Sequence, residues 1–122
     1  MTKRLLALAL LAFAACGKGS PPTGIACTAL AAAGLGVSLT DSVTGVSTGF
    51  TNVLIVARAG TYADTAFLAE YQDTVPLAYE HRGTVQVSVR ADGYALWLKN
   101  VVTITGDVCH VHEEFVSARL VR

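Results

Sequence analysis

Charge is scarce in this 122-residue chain. Asp, Glu, Lys and Arg make up 15% of it, against about 25% in an average soluble protein. Nine basic residues balance nine acidic ones, so the clustered cationic excess that nucleic-acid binding needs is missing. The three cysteines include no CxxC pair, which leaves thioredoxin-like redox chemistry and zinc-ribbon sites without support. No serine sits in a GxSxG context, and no Gly-rich phosphate loop occurs. Carboxylates are numerous enough for a glycosidase pair, but the chain is too short to add a substrate groove. The longest apolar run falls short of the roughly 20 residues that a membrane-crossing helix requires. What is abundant is apolar surface, at 52% of residues. That is enough to fill one core and argues against disorder.

The uninterrupted apolar run lies at the N-terminus, MTKRLLALALLAFAAC. Lys3 and Arg4 form a positive flank, and residues 5–15 are all apolar, which is the pattern of a secretory signal. The small pair Ala14-Ala15 directly precedes Cys16 and Gly17. This resembles a bacterial lipoprotein signal, in which the cysteine is lipidated (palmitate among the acyl groups) and becomes the new N-terminus. Phe13 stands where leucine is the usual choice. The alternative is an ordinary signal cut near Ala15, with Cys16 an incidental thiol. Either reading sends the protein out of the cytoplasm. Gly17 is not the acidic residue that marks inner-membrane retention in some bacteria, which favours the outer membrane of the cell envelope.

Removal of residues 1–15 takes two of the nine basic residues, leaving seven against nine acidic ones and a net charge of −2. Residues 16–26, rich in Gly, Ser and Pro at their start, read as a lipidated flexible tether, and 27–122 as the domain. Cys27 and Cys109 then remain as an even pair in an exported chain, and so as a structural disulfide from the domain's first segment to its last strand.

Within the domain the apolar pattern has period two. Val37 and Leu39 alternate with Ser38 and Thr40, and residues 41–45 (DSVTG) supply a turn. Residues 53–57 form a buried strand, and Ala59-Gly60-Thr61 separates it by a hairpin's length from a strand over 63–71. The clearest element is 84–90, where Val85, Val87 and Val89 alternate strictly with Thr84, Gln86, Ser88 and Arg90. Residues 94–105 predict one long or two short strands, with Trp97, Leu98, Val102 and Ile104 as core positions. A final strand is predicted over 108–120. Strands at about ten-residue spacing, with turns between, indicate an all-β sandwich or barrel.

The segment 83–94, GTVQVSVRADGY, resembles the central signature of carboxypeptidase regulatory-like domains: a Gly, a strand of alternating valines, a small residue, a turn and Gly-Tyr. Asp41-Ser42-Val43-Thr44-Gly45 is similar to the family's first turn, and Val56-Ala57-Arg58 to its second strand. The resemblance spans about 35–120. It implies a transthyretin-like (prealbumin-like), seven-stranded Greek-key sandwich without catalytic residues of its own, working as an accessory module. Standing alone behind a lipid anchor and carrying a disulfide are departures from the family's common pattern.

Two small constellations bear on chemistry. His110 and His112 lie two apart on the predicted last strand, so they would share a face and could share a metal, with Glu114 continuing that face. Solvent-facing histidines beside the disulfide are the plainer reading, and no cofactor is expected. Val116, Ala118 and Leu120 share the parity of His110, not that of Cys109 and Val111. A β-bulge or a change of partner sheet is therefore expected near 112–114. Tyr94 and Trp97 could form an aromatic platform for a sugar or peptide, although a lone Trp in a small sandwich is more often core. The expected function is that of a non-enzymatic envelope lipoprotein presenting a β-sandwich for binding or scaffolding. The alternative is a small-ligand or carbohydrate binder using the aromatic face. The partners are then the membrane, through the anchor, and an envelope protein or a peptidoglycan or other glycan, with no nucleic acid.

Overall fold

The computed structural model describes residues 26–122. The signal over 1–15, the lipid-bearing Cys16 and the tether up to residue 25 lie outside the described residues. The period-two pattern becomes seven strands: β1 (Leu35–Asp41), β2 (Thr51–Ala59), β3 (Tyr62–Glu70), β4 (Val75–Leu77), β5 (Gly83–Arg90), β6 (Trp97–Ile104) and β7 (Glu114–Leu120). They form a three-stranded sheet in the order β4-β1-β7 and a four-stranded sheet in the order β3-β2-β5-β6. All neighbours are antiparallel except β1 and β7, which run parallel from Leu35 opposite Glu114 to Asp41 opposite Leu120. The chain passes repeatedly from one sheet to the other, in the manner of a Greek key. The all-β, seven-stranded sandwich expected from the sequence is what the chain builds.

Alternation puts one residue in two into the space between the sheets. Leu35, Val37 and Leu39 of β1, Val53, Ile55 and Ala57 of β2, Val85, Val87 and Val89 of β5, and Val116, Ala118 and Leu120 of β7 are all buried. Burying an aliphatic side chain of this size stabilises the fold by about 1.5–3 kcal/mol. Phe50, just before β2, is the bulkiest fully buried side chain. It meets the Tyr71 ring edge-on at 5.9 Å between centroids, and the Tyr94 ring at 5.1 Å. The β2–β3 hairpin closes as expected, with Ala59 opposite Tyr62 and Gly60 at a φ of 58°.

Three expectations are corrected. The last strand starts at Glu114, not at residue 108. Residues 105–113 form a loop pinned by one isolated bridge between Gly106 and Val111. The conflict of parity near 112–114 is thus resolved by the absence of strand before Glu114, not by a bulge within one. The bulge lies instead between β5 and β6, where Val85 faces Val102 but Val87 faces Lys99. This extra residue in β6 switches its inward parity. Trp97 packs half-buried against the core, Val102 and Ile104 are buried, and Leu98 points outward at 47% exposure rather than into the core. The third correction is an addition: β4, with Pro76 at its centre, is a strand the sequence did not announce. Proline fits there because β4 is an edge strand, where a missing N–H breaks no ladder.

Candidate functional site

Asp41 ends β1 and organises the turn that follows. Its Oδ1 accepts the backbone N–H of Val43 at 2.8 Å and of Thr44 at 3.0 Å, while Gly45 takes a φ of 72°. Its Oδ2 accepts the Tyr94 hydroxyl at 2.7 Å and lies 3.4 Å from Arg122 Nε. The carboxyl is held well below the usual carboxylate range, first by the Thr44 N–H, then by the Tyr94 hydroxyl and the Val43 N–H. The same bond raises the Tyr94 hydroxyl above its ordinary range. Arg122 donates to the Tyr94 oxygen at 2.9 Å, and its guanidinium lies 4.7 Å from the ring centroid. Tyr94 is therefore committed on its hydroxyl and on a ring face. Trp97, which packs against the core, does not join it in an open aromatic platform.

At another place on the surface, the Cys27–Cys109 disulfide forms as expected, across 82 positions and with the Cα atoms 5.2 Å apart. Cys109 sits in the loop before β7 rather than on the strand. The residues next to the two cysteines meet as well. His110 Nδ1 donates to Glu80 Oε1 at 2.5 Å, and Nε2 faces Thr28 Oγ1 at 2.9 Å. Glu80 Oε1 also accepts the Ala32 N–H at 2.7 Å, and Oε2 the Val111 N–H at 3.3 Å. These bonds, the Ala32 N–H first and the His110 ring second, lower the Glu80 carboxyl below its ordinary value. Glu80 adopts a φ of 53°, a left-handed conformation that costs a residue with a Cβ about 1–2 kcal/mol.

His112 is turned elsewhere, with Nε2 3.4 Å from Asp107 Oδ2. Asp107 Oδ1 accepts the N–H groups of Cys109 and His110, which with His112 hold its carboxyl at about 2. Arg82 donates to the Asp107 carbonyl. The two histidines therefore do not converge on one metal position: His110 goes to Glu80 and His112 to Asp107. Hydroxyl, imidazole and carboxylate in series is the order of a base-activated nucleophile. Here the three groups, with two backbone N–H groups, form a clip that holds residues 27–33 to the β4–β5 and β6–β7 connections.

A groove of about 390 Å³ runs over the outer face of the four-stranded sheet. Leu54 and Val56 of β2, Ser88 of β5, and Leu96 and Leu98 at the start of β6 form its floor and one wall. Arg58, Gln86 and Arg90 stand at its ends. Phe67, 67% exposed, continues the apolar strip, because it pairs with Leu54 across the β2–β3 ladder. Neither Arg58 nor Arg90 makes a hydrogen bond or ion pair among the described residues, and no acidic residue lines the groove. The sequence reading missed this face, because Leu98 was assigned to the core and the arginines belonged to no motif. The signal that could have found it is the outward row of β2, Leu54-x-Val56-x-Arg58, which is apolar where a solvated sheet face is normally polar.

No family model matches the chain, and comparisons with curated proteins and with solved structures likewise found no match.

Proposed function

We propose that this protein is an exported lipoprotein, anchored through Cys16, that works as a non-enzymatic binding or scaffolding module of the cell envelope. In this reading the domain is a transthyretin-like sandwich of the carboxypeptidase regulatory-like kind, and the four-stranded sheet carries its working face. The observation behind it is the groove just described: an apolar strip on an outer sheet face, flanked by two arginines without partners. An ordinary solvated sheet face has no reason to keep Leu54, Val56, Leu96 and Leu98 there, and contiguous exposed apolar surface marks an interaction site. The seven-strand, two-sheet order and the succession of turn and valine motifs support the family reading. The MTKRLLALALLAFAAC start supports the anchor. A tether of about ten residues would leave the sandwich free to turn that face to a neighbour. The test of the anchor is a Cys16→Ala variant, which should lose the lipid mass and move to the soluble fraction on membrane fractionation. Unchanged membrane association would overturn the lipid assignment.

A further inference from the structure

We infer that the groove on the β3-β2-β5-β6 sheet docks an acidic amphipathic α-helix of a partner protein; this rests on the reading of that face as the binding surface. Three features of the face select this occupant. The first is shape. Strands in the middle of a sheet have their backbone N–H and C=O groups engaged in ladders, so the face has no backbone groups to offer an extended peptide; augmentation would need an edge. A segment lying on the face must satisfy its own backbone, and the element that does so while covering an apolar sheet face is a helix.

The second is the apolar strip itself. Leu54, Val56, Leu96 and Leu98, with Phe67 beyond them, offer an apolar surface to the i, i+3, i+4, i+7 stripe of an amphipathic helix.

The third is charge. In the β2–β5 ladder Arg58 pairs with Gln86, and Arg90 with Leu54. The two arginines are thus four residues apart along the strands and one strand apart across them. With about 3.3 Å per residue and about 4.8 Å between strands, their backbones stand about 14 Å apart. A helix rises 1.5 Å per residue, so acidic side chains about seven to eleven residues apart reach both guanidiniums. Guanidinium–carboxylate pairs bracketing an apolar contact would set the helix's register and orientation. A helix with basic ends would meet two unneutralised cations and be rejected.

The test uses the full chain and a fluorescein-labelled helical peptide with a leucine stripe and a glutamate near each end, read by fluorescence anisotropy. Wild-type protein should bind it. The Arg58→Glu, Arg90→Glu double variant, whose substitutions lie on exposed positions and should leave the circular dichroism spectrum unchanged, should bind at least tenfold more weakly. A companion peptide with lysines in place of the glutamates should recover binding to the double variant and fail with wild type. Equal binding of both peptides by wild type, or no binding of either, would overturn the acidic-helix assignment.

A photo-crosslinking residue at position 98, in cells producing the full chain, separates that failure from failure of the underlying reading. Crosslinks mapped to an acidic helix of a partner support the inference. Crosslinks to lipid alone, to a glycan or to a non-helical segment overturn it while leaving the face as a binding surface. No crosslink from 98, with crosslinks from position 117 on β7 of the other sheet, overturns both.

Discussion

Asp41 carries more of the fold's polar order than any other single side chain, since its two oxygens serve two turn N–H groups, a tyrosine and an arginine. Half of this was readable in advance. An aspartate four residues before a glycine is a turn signal, and the Val43 and Thr44 N–H bonds follow from it. The Tyr94 and Arg122 contacts were not readable, because they cross 53 and 81 positions of chain and no local rule reaches that far. The consequence is acid sensitivity. The carboxyl titrates lower in the folded chain than in the unfolded one, where Asp has a value near 4. Its stabilising contribution is therefore complete above about pH 4 and is lost as the pH falls below that through the folded value. Glu80 and Asp107 shift in the same direction and add to the same loss. Urea midpoints measured from pH 6 down to pH 2 should fall for the wild type. An Asp41→Asn variant should start lower at pH 6, since an amide replaces one acceptor oxygen with a donor, and should fall less steeply. A parallel descent of the two proteins would show that Asp41 is not among the groups responsible.

Elements were legible where the alternation is long. β5 reads directly from 84–90, and the structure buries Val85, Val87 and Val89 while leaving Gln86 exposed. Val87→Ala should cost about 1–3 kcal/mol, from lost burial and a partial cavity. Gln86→Ala should stay within about 0.5 kcal/mol, as surface changes do, with its Asn100 bond as the small loss. Equal sensitivity of the two in a denaturant series would contradict the observed facing of β5. Legibility failed where an element is short or its parity breaks. β4 has three residues with a proline at the centre, too few for a period to show. The bulge in β6 moves the inward set from Trp97 to Val102 and Ile104, and a bulge leaves no mark in a list of apolar positions. That is why Leu98 was placed inside, and the groove went unseen with it. Gly34 is a further silent requirement. It donates to the Leu77 and Ala78 carbonyls at 3.1 Å, and a Cβ there would stand 2.6 Å from the Ala78 oxygen. Gly34→Ala should therefore loosen the β1–β4 edge. In hydrogen exchange the loss of protection should be concentrated at Leu35, Val37 and Leu77; uniform protection losses across both sheets would point to a different cause.

At the scale of the molecule, the described chain is fastened at its two ends. β1 and β7, the first and last strands, are paired in parallel, and the disulfide joins the segment before β1 to the loop before β7. This arrangement follows from counting cysteines once the signal is set aside. The clip of Glu80, His110 and Thr28 beside it does not, because Glu80 reaches its place through a left-handed backbone that a glutamate seldom adopts. The two fastenings act differently. The disulfide restricts the unfolded chain, and for a loop of 82 positions the chain-entropy argument gives about 4–5 kcal/mol. The clip acts only in the folded state and reaches several of the same residues, so it can hold the native loop in place but cannot restrain the unfolded ensemble. A Cys27→Ser, Cys109→Ser double variant should accordingly keep its sheets, seen as an unchanged far-ultraviolet spectrum, while its unfolding free energy in urea falls by most of that amount. Reductant should shift the wild type to the variant's midpoint and leave the variant where it is. Mass mapping without reductant should show Cys27 joined to Cys109. A loss below about 1 kcal/mol would mean that the unfolded chain is already compact enough for the bridge to restrain little, and the stability of the sandwich would then rest on the β1–β7 ladder and the core beneath it.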